Sequence, residues 1–289
     1  MIIQSQNEGI LIEDISDFDV EQIFDCGQAF RFKEVEKGIY EGVAHGAYLK
    51  VSHVENGVFL WPCDIDAFEN IWCNYFDLGT DYGNIKRTLI EIDPFFKRAT
   101  EFGSGIRILR QDPWEMILSF IISANNNIPR IQGSIEKLSE MFGEPALVPN
   151  GTLKYSIPSP ERLSSAELSD IRACGVGYRD KYIKKTAEMI VSGVVDINKV
   201  LQLTPYEAEE TLLTLSGVGK KVADCIMLFG FNYMSAFPVD TWVKKAISKH
   251  FLDDSVSLNE IQSFAHGHFG NLSGYAQQYM FYYIREGES

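Results

Sequence analysis

The chain has 289 residues, of which 45% are hydrophobic and 12% aromatic, so it can bury one large core or two moderate ones and is not disordered. The formal net charge of −14 argues against broad, nonspecific nucleic-acid binding, because affinity for polyphosphate comes mainly from counterion release by Lys and Arg. Any nucleic-acid site must therefore be local.

Five cysteines are spread along the chain, at Cys26, Cys63, Cys73, Cys174 and Cys225. Their odd number and irregular spacing indicate neither a disulfide framework nor a Cys-x-x-Cys metal site, which fits a reducing cytoplasm. The N-terminus lacks the basic start and apolar run of a signal peptide, and the longest apolar stretch is too short to span a bilayer. We expect a soluble, cytoplasmic protein with no membrane contact.

The N-terminal part predicts an antiparallel meander. Between residues 28 and 62, the runs AFRFKEV, IYEGVA, AYLKVSHV and VFLWP are separated by turns at Lys37-Gly38, His45-Gly46 and Asn56-Gly57. Aromatic and β-branched runs joined by two-residue turns are typical of such sheets. After Cys63 the apolar spacing becomes three to four residues, which predicts helices.

Helix starts are explicit further along the chain. Asp112 and Thr204 are each followed by proline and then by glutamate two positions after that proline, a combination typical of an N-cap and a first helical turn. The predicted fold class is α+β, with a sheet domain over residues 1–105 and an all-helical region over 106–289.

The stretch LSGVGKKVADC, residues 215–225, predicts a helix-hairpin-helix at about 205–232. Gly217 and Gly219 allow a tight turn and close approach of a phosphate to the backbone, and the N-terminus of the following helix favours an anion. An ordinary turn between two helices is the alternative.

Two lysines open the second helix of this hairpin. Successive helical residues point about 100° apart, so Lys220 at the hairpin mouth and Lys221 cannot face the same place. Lys221 shares a stripe with Cys225, four residues later, and can reach a pocket. The alternative is that both lysines are solvated surface residues.

Asp240 follows Lys221 by 19 residues, in the stretch FPVDTWVKKA. Its place before a helical run predicts an N-cap. A capping residue can also be catalytic, so the two interpretations are compatible.

These motifs resemble those of the HhH-GPD superfamily of DNA glycosylases, and within it the 8-oxoguanine DNA glycosylases. The matching segments are GVGKKVADC, PVD, GQAFRF (27–32), FIISANNNIPRI (120–131), GVGYRDKY (175–182) and YAQQYMF (275–281). The resemblance implies a twisted sheet like that of the TATA-binding protein, followed by the helical HhH-GPD region. It also implies a monomer that acts on double-stranded DNA containing 8-oxoguanine opposite cytosine, in the nucleoid of a bacterium or the nucleus of a eukaryote.

In this family the lysine that matches Lys221 attacks C1′ of the damaged nucleotide, expels the base and forms a Schiff base that allows strand cleavage by β-elimination. Such an amine must be neutral, so we expect a pKa lowered by burial and by the charge of Lys220. Asp240, by resemblance, stabilises the positive charge on the sugar, and a carboxylate at a helix start should stay ionised.

The base pocket implied by the resemblance consists of Gly27, Cys225, Gln277 and Phe281. Because 8-oxoguanine carries a hydrogen on N7, a carbonyl at Gly27 would distinguish it from guanine. Gln277 and Phe281 are four residues apart on one helix face, for reading and stacking the flipped base. Without the resemblance, Gly27 would be interpreted as a turn glycine, and Gln277 and Phe281 would be interpreted as part of an amphipathic core stripe.

The resemblance assigns further residues to DNA contact. The hole left by the flipped base would be filled by Asn125, Asn126, Asn127, Arg130, Tyr178 and Arg179. Of these, Arg130 and Arg179 would contact the opposite base and prefer cytosine. Three asparagines after an apolar helix can also be a polar cap. Trp242 stands where eukaryotic relatives carry histidine near the phosphates. Residues 215–250 contain five lysines against two aspartates, a local basic face in an acidic chain.

No organic cofactor is expected, and no cysteine follows Cys225, so the iron–sulfur site of the endonuclease III branch is not expected either. By resemblance, a structural cation could bind the carbonyls of Leu213, Leu215 and Val218. Two alternatives remain open. An alkylpurine DNA glycosylase would typically lack the hairpin lysine, and a noncatalytic helix-hairpin-helix module would not need the Lys221 and Asp240 pair.

Overall fold

The computed structural model describes residues 1–149, 151–253 and 255–288. The strands are β1 (Ile2–Gln6), β2 (Gly9–Glu13), β3 (Lys33–Glu36), β4 (Ile39–Ala44), β5 (Ala47–Val54), β6 (Gly57–Trp61), β7 (Pro145–Ala146) and β8 (Lys154–Tyr155). The helices are α1 (Val20–Asp25), α2 (Ile65–Ala67), α3 (Cys73–Tyr75), α4 (Tyr82–Ile92), α5 (Phe95–Phe102), α6 (Pro113–Ser123), α7 (Ile128–Phe142), α8 (Pro160–Ser165), α9 (Leu168–Ile171), α10 (Asp180–Val191), α11 (Ile197–Val200), α12 (Pro205–Leu213), α13 (Lys220–Phe229), α14 (Thr241–His250), α15 (Leu258–Phe269) and α16 (Ser273–Tyr282). Wider π-helical turns occupy Phe68–Trp72, Arg172–Val176 and Tyr283–Gly287, and tighter 3₁₀ turns occupy Gly177–Arg179 and Gly270–Leu272.

The described N-terminal residues form an antiparallel six-stranded sheet in the order β1-β2-β6-β5-β4-β3. Strands β3 to β6 are the predicted meander, with each strand pairing with the next. The β1–β2 hairpin extends the sheet beyond β6, and the sequence analysis missed it. Most of β1 is exposed, so its residues lack the apolar alternation that marks a half-buried strand.

The run AFRFKEV was wrongly predicted as one strand, because β3 begins only at Lys33. Phe30 packs into the helical core, whereas Phe32 packs beneath the sheet. The segment before β3 therefore joins the two cores instead of extending the sheet. This connecting segment brings the neighbouring Gly27 towards the helices.

The predicted helix starts are confirmed. Asp112 accepts the Glu115 backbone N–H at 2.9 Å, and Thr204 forms a complete capping box with Glu207. The C-terminal region is not entirely helical, since β7 and β8 form a short hairpin within it. Its strands are only two residues long, too short for a periodic pattern to indicate them.

The core beneath the sheet includes Phe24, Leu49 and Trp72, whereas Leu89 and Phe96 of α4 and α5 lie in the core of the helical region. The predicted domain boundary at residue 105 stays a prediction. Along the described parts of the chain, no helix combines the length and apolar character needed to cross a membrane.

Candidate active site

The helix-hairpin-helix consists of α12, the turn at 214–219 and α13, as predicted. Gly217 has φ +83°, and a Cβ there would lie 2.8 Å from the Tyr182 side chain, so a larger residue does not fit. Gly219 caps α13, and a Cβ on it would meet nothing within 4 Å. The start of α13 is therefore open to an approaching anion, with the first helical N–H groups pointing outwards.

A cavity of about 70 Å³ lies where α13, the start of α14, α16 and the loop after α1 meet. Its walls are formed by Cys26, Gly27, Phe120, Lys221, Cys225, Phe229, Pro238, Asp240, Gln277, Gln278 and Phe281. All six residues predicted for catalysis and base recognition are among them.

Lys221 reaches this cavity from α13. Its Nζ lies 5.6 Å from the centroid of the Phe120 ring and interacts with the Cys225 sulfur. The residue as a whole is exposed, but the amine itself lies where burial disfavours its charged form. Bound DNA would have to cover it to exclude water.

The expected lowering of the Lys221 pKa is wrong. Attraction by Cys225 in its thiolate form raises this pKa, burial opposes the rise, and the Asp240 carboxylate adds to it. Burial in turn raises the pKa of the Cys225 thiol to about 11, so Cys225 keeps its proton at neutral pH. The ordinary pKa of a lysine amine lies well above neutral pH and is raised further here, so Lys221 is an ammonium in the free protein, and its proton must leave before it can act as a nucleophile.

Lys220 does not supply the expected neighbouring charge, because its Nζ pairs with Glu209 and lies 3.4 Å from Asp224. Glu209 is on α12, and the hairpin folds it against the head of α13. Burial raises the pKa of Asp224 to about 7. The Lys220 ammonium thus faces two acidic residues in the protein without DNA.

Asp240 is the N-cap of α14, as predicted, and its Oδ1 accepts the Val243 N–H at 2.8 Å. Burial raises its pKa, while the Val243 and Trp242 N–H groups and the Lys221 charge lower it. A helix start alone would favour the ionised carboxylate and so lower this pKa. The pKa rises instead because the cavity removes solvent from the carboxylate. The backbone donors still favour the charged form.

Gln277 and Phe281 both face the cavity from α16. Gln277 is 5% exposed, and its Oε1 is buried without a hydrogen-bond partner among the described residues. An unpaired buried acceptor is costly, so this oxygen favours a ligand that donates N–H groups.

Gly27 packs against Phe281 in the cavity wall. Its φ is +81°, and a Cβ there would lie 3.1 Å from Phe281 Cε1. The next residue, Gln28, is fully buried; it donates to the Arg107 carbonyl at 2.7 Å and accepts the Leu109 N–H at 2.8 Å. These bonds fix the Gly27 turn against the chain that enters α6.

The asparagine segment lies between α6 and α7. Asn127 caps α7 by accepting the Arg130 N–H at 3.1 Å, so the polar-cap interpretation holds for this residue. Asn126 donates to the Ile122 carbonyl at 3.1 Å, and Asn125 has φ +52°. Asn125 and Arg130 are exposed and available to a partner.

Tyr178 and Arg179 are brought to the same segment. Tyr178 is 58% exposed and lies over the Arg179 guanidinium, 4.6 Å from ring centroid to guanidinium carbon. Arg179 is only 7% exposed and donates to the carbonyls of Ala124 and Asn125. Its donors therefore hold the asparagine segment, and its contact with an opposite base stays a prediction.

Trp242, in the first turn of α14, is half-buried beneath Lys245, whose Nζ is 5.5 Å from the ring. In the hairpin, the Leu215 carbonyl accepts the Val218 N–H at 3.2 Å. The carbonyls of Leu213, Leu215 and Val218 are hard oxygen donors of the kind that alkali and alkaline-earth cations prefer. The cation site stays a prediction.

The sequence analysis missed several residues in the cavity wall or directly behind it. Phe120 lies under the Lys221 amine, and Gln278 donates to the Cys26 carbonyl at 2.8 Å, which fixes the loop before Gly27. Arg285 stacks on the outer side of the pocket against Phe281, 4.8 Å from its ring centroid. Gln278 is one residue after Gln277, and Arg285 is four residues after Phe281. This closeness in sequence to predicted site residues was the available signal that they also belong to the site.

Residues 10–117 match the family described as the N-terminal domain of 8-oxoguanine DNA glycosylase, and residues 118–264 match the HhH-GPD superfamily of base excision DNA repair proteins. The chain is 36% identical over 201 residues to a probable N-glycosylase/DNA lyase of Methanothermobacter thermautotrophicus, covering 63% of this chain and 64% of that protein. It is 34% identical over 209 residues to the N-glycosylase/DNA lyase of Saccharomyces cerevisiae, covering 68% of this chain and 55% of that protein. The matched regions thus span less than two thirds of either curated relative.

A solved structure covers the whole fold. It is the Clostridium acetobutylicum 8-oxoguanine glycosylase/lyase in complex with double-stranded DNA containing cytosine opposite 8-oxoguanine. The two chains superpose with a TM-score of 0.96 at 42% identity, over 100% of this chain and 99% of that chain.

Proposed function

Because the chain belongs to the HhH-GPD superfamily of base excision DNA repair proteins, we propose that it excises 8-oxoguanine from double-stranded DNA and then cleaves the strand. The observation that carries this proposal is the single cavity shared by Lys221, Asp240, Gly27, Gln277 and Phe281. A nucleophile, an acid and the residues expected to recognise the base converge there, from segments more than 200 residues apart in the chain.

The Lys221 amine is the nucleophile that attacks C1′ of the flipped nucleotide. It must first lose its proton, which the exclusion of water by bound DNA favours, since removing solvent disfavours the ammonium form. The base departs with the electrons of the glycosidic bond and takes up a proton as the new C1′–N bond forms. The sugar ring then opens at the C1′–O4′ bond to give the Schiff base, and loss of a C2′ proton expels the 3′ phosphate by β-elimination. Asp240, fixed by its capping bond, stabilises the positive charge that develops on the sugar.

The base is selected by the opposite walls of the slot. Phe281 stacks on the flipped purine, Cys225 lies on its other face, and the unpaired Gln277 Oε1 accepts N–H groups from its Watson–Crick edge. The Gly27 carbonyl accepts the N7–H that 8-oxoguanine has and guanine lacks. Facing guanine N7 instead would leave two acceptors opposed, at a cost of about 1–3 kcal/mol.

The protein binds DNA through a local surface, because a net charge of −14 disfavours broad contact with the phosphates. The open N-terminus of α13 would bind a phosphate, and Trp242 would lie near the DNA backbone. The carbonyls of Leu213, Leu215 and Val218 would hold a cation, which would supply further positive charge. The asparagine segment, Tyr178 and Arg130 fill the vacated position in the duplex and prefer cytosine opposite the lesion. The protein would do this as a monomer, in the nucleoid of a bacterium or the nucleus of a eukaryote.

Duplexes that carry one defined lesion test the proposal. We expect base release and strand cleavage with 8-oxoguanine opposite cytosine, and trapping of a covalent complex with borohydride. Release of 3-methyladenine without any trapped complex would instead indicate an alkylpurine glycosylase. DNA binding with neither release nor trapping would indicate a noncatalytic helix-hairpin-helix module.

A further inference from the structure

Arg285 lies directly behind the base-selecting wall of the cavity. Its guanidinium carbon is 4.8 Å from the centroid of the Phe281 ring. Its Nη1 is 3.2 Å from the position that a Cβ on Gly27 would take. The side chain is 14% exposed, so the protein interior holds it in this position.

The hydrogen bonds of Arg285 connect two distant parts of the chain. Nη2 donates to the carbonyl of Asp25, two residues before Gly27, and Nε donates to Glu286 Oε1 at 2.5 Å. The planar guanidinium can make such contacts simultaneously because its donors have a fixed fork geometry. The loop that carries Gly27 is thereby tied to the helical segment that carries Phe281.

The charge of Arg285 also reaches the reaction centre. Burial raises the pKa of Asp240 and of Cys26, and the guanidinium lowers both. Arg285 itself is not part of the cavity wall. It therefore acts on a substrate only through the residues that it holds.

We propose that Arg285 is a positioning residue for base selection, which holds the Gly27 loop against the Phe281 ring in the arrangement that recognition of an 8-oxoguanine base requires. The inference rests on the proposed function, since it presumes that a flipped base enters this slot. A displaced wall would impair steps that depend on the base, because misplacement of about 1 Å is enough to reduce a positioned reaction strongly. It would spare cleavage at an abasic sugar, which presents no base to select.

The test compares two duplexes with the Arg285→Met variant, which keeps the length and apolar stem but removes the charge and the fork. We expect kcat/KM for 8-oxoguanine opposite cytosine to fall about tenfold, equivalent to about 1.4 kcal/mol. Cleavage of a duplex with an abasic site should change less than about twofold, since Lys221 and Asp240 remain in place. Equal losses on both duplexes would show a merely structural role, and wild-type rates on both would show no role; either result overturns the proposal.

Two further variants complete the design. Arg98→Met removes an exposed arginine that lies 6.0 Å from the neighbouring Tyr283 ring, and it should leave both rates unchanged. Arg285→Lys keeps the charge but not the fork, so it should recover less than half of the lost excision; full recovery would overturn the positioning role. Failure of the proposed function would be distinct, because the wild-type protein would then act on neither duplex.

Discussion

Replacing Gly27 by alanine should weaken both the fold and base excision. At φ +81° a residue with a Cβ is strained, by about 1–2 kcal/mol. The new Cβ would lie 3.1 Å from Phe281 Cε1 and 3.2 Å from Arg285 Nη1, so those groups must shift by a few tenths of an ångström. We therefore expect the free energy of unfolding to fall by about 1–2 kcal/mol.

The same shift displaces the stacking ring from the base slot. We expect excision of 8-oxoguanine to fall about tenfold or more, while cleavage at an abasic site falls much less. Urea denaturation measures the first effect and single-turnover kinetics on the two duplexes measure the second.

Gly267→Ala is a matched control, because Gly267 lies inside α15, is exposed, and has nothing within 4 Å of a new Cβ. That variant should be about 0.5–1 kcal/mol more stable than wild type, since alanine is the better helix former. A Gly27→Ala protein with wild-type stability and wild-type excision would refute the reasoning about this wall.

Three other variants address charge. Glu115 is buried, and burial raises its pKa from 4.5 to about 7, so its contribution to stability is full below pH 4.5 and is lost as the pH rises through about 7. Above that pH, Glu115→Gln should therefore have a free energy of unfolding up to about 3 kcal/mol higher than wild type, whereas in acid the two proteins should be equally stable. Denaturant titrations at several pH values measure this difference, and a difference that does not change with pH would contradict the prediction. Glu209→Gln releases Lys220 and should raise duplex affinity about fivefold at low salt, measured by fluorescence anisotropy, whereas unchanged affinity would mean that Lys220 does not meet phosphate. Arg130→Ala should reduce the excision preference for cytosine over adenine opposite the lesion about tenfold, and an unaltered preference would remove Arg130 from opposite-base recognition.

Local sequence was sufficient for the elements that position the catalytic pair. Asp240 follows Pro238-Val239 and opens a helical run, and the glycines at 217 and 219 close the hairpin that presents Lys221. Capping and turn formation depend on neighbours within a few residues, so they can be predicted from a short stretch.

Long-range partners could not be predicted in the same way. Arg285 meets Asp25 across 260 positions, and Gln278 meets Cys26 across 252. The pKa of Lys221 was predicted with the wrong sign, because Lys220 turned to Glu209 while a buried thiol came beside the amine. The contacts of Arg285 and Gln278 depend on how distant segments pack, and the Lys220–Glu209 pair depends on how α12 folds against α13. The position of Cys225 beside Lys221, by contrast, follows from their spacing of four residues within α13.

The identity of the covalently bound lysine tests the central claim most directly. After incubation with 8-oxoguanine opposite cytosine and reduction with borohydride, digestion and mass spectrometry should place the nucleotide adduct on Lys221, and Lys221→Gln should form no adduct. An adduct on Lys220 or elsewhere, or trapping undiminished in Lys221→Gln, would contradict the account.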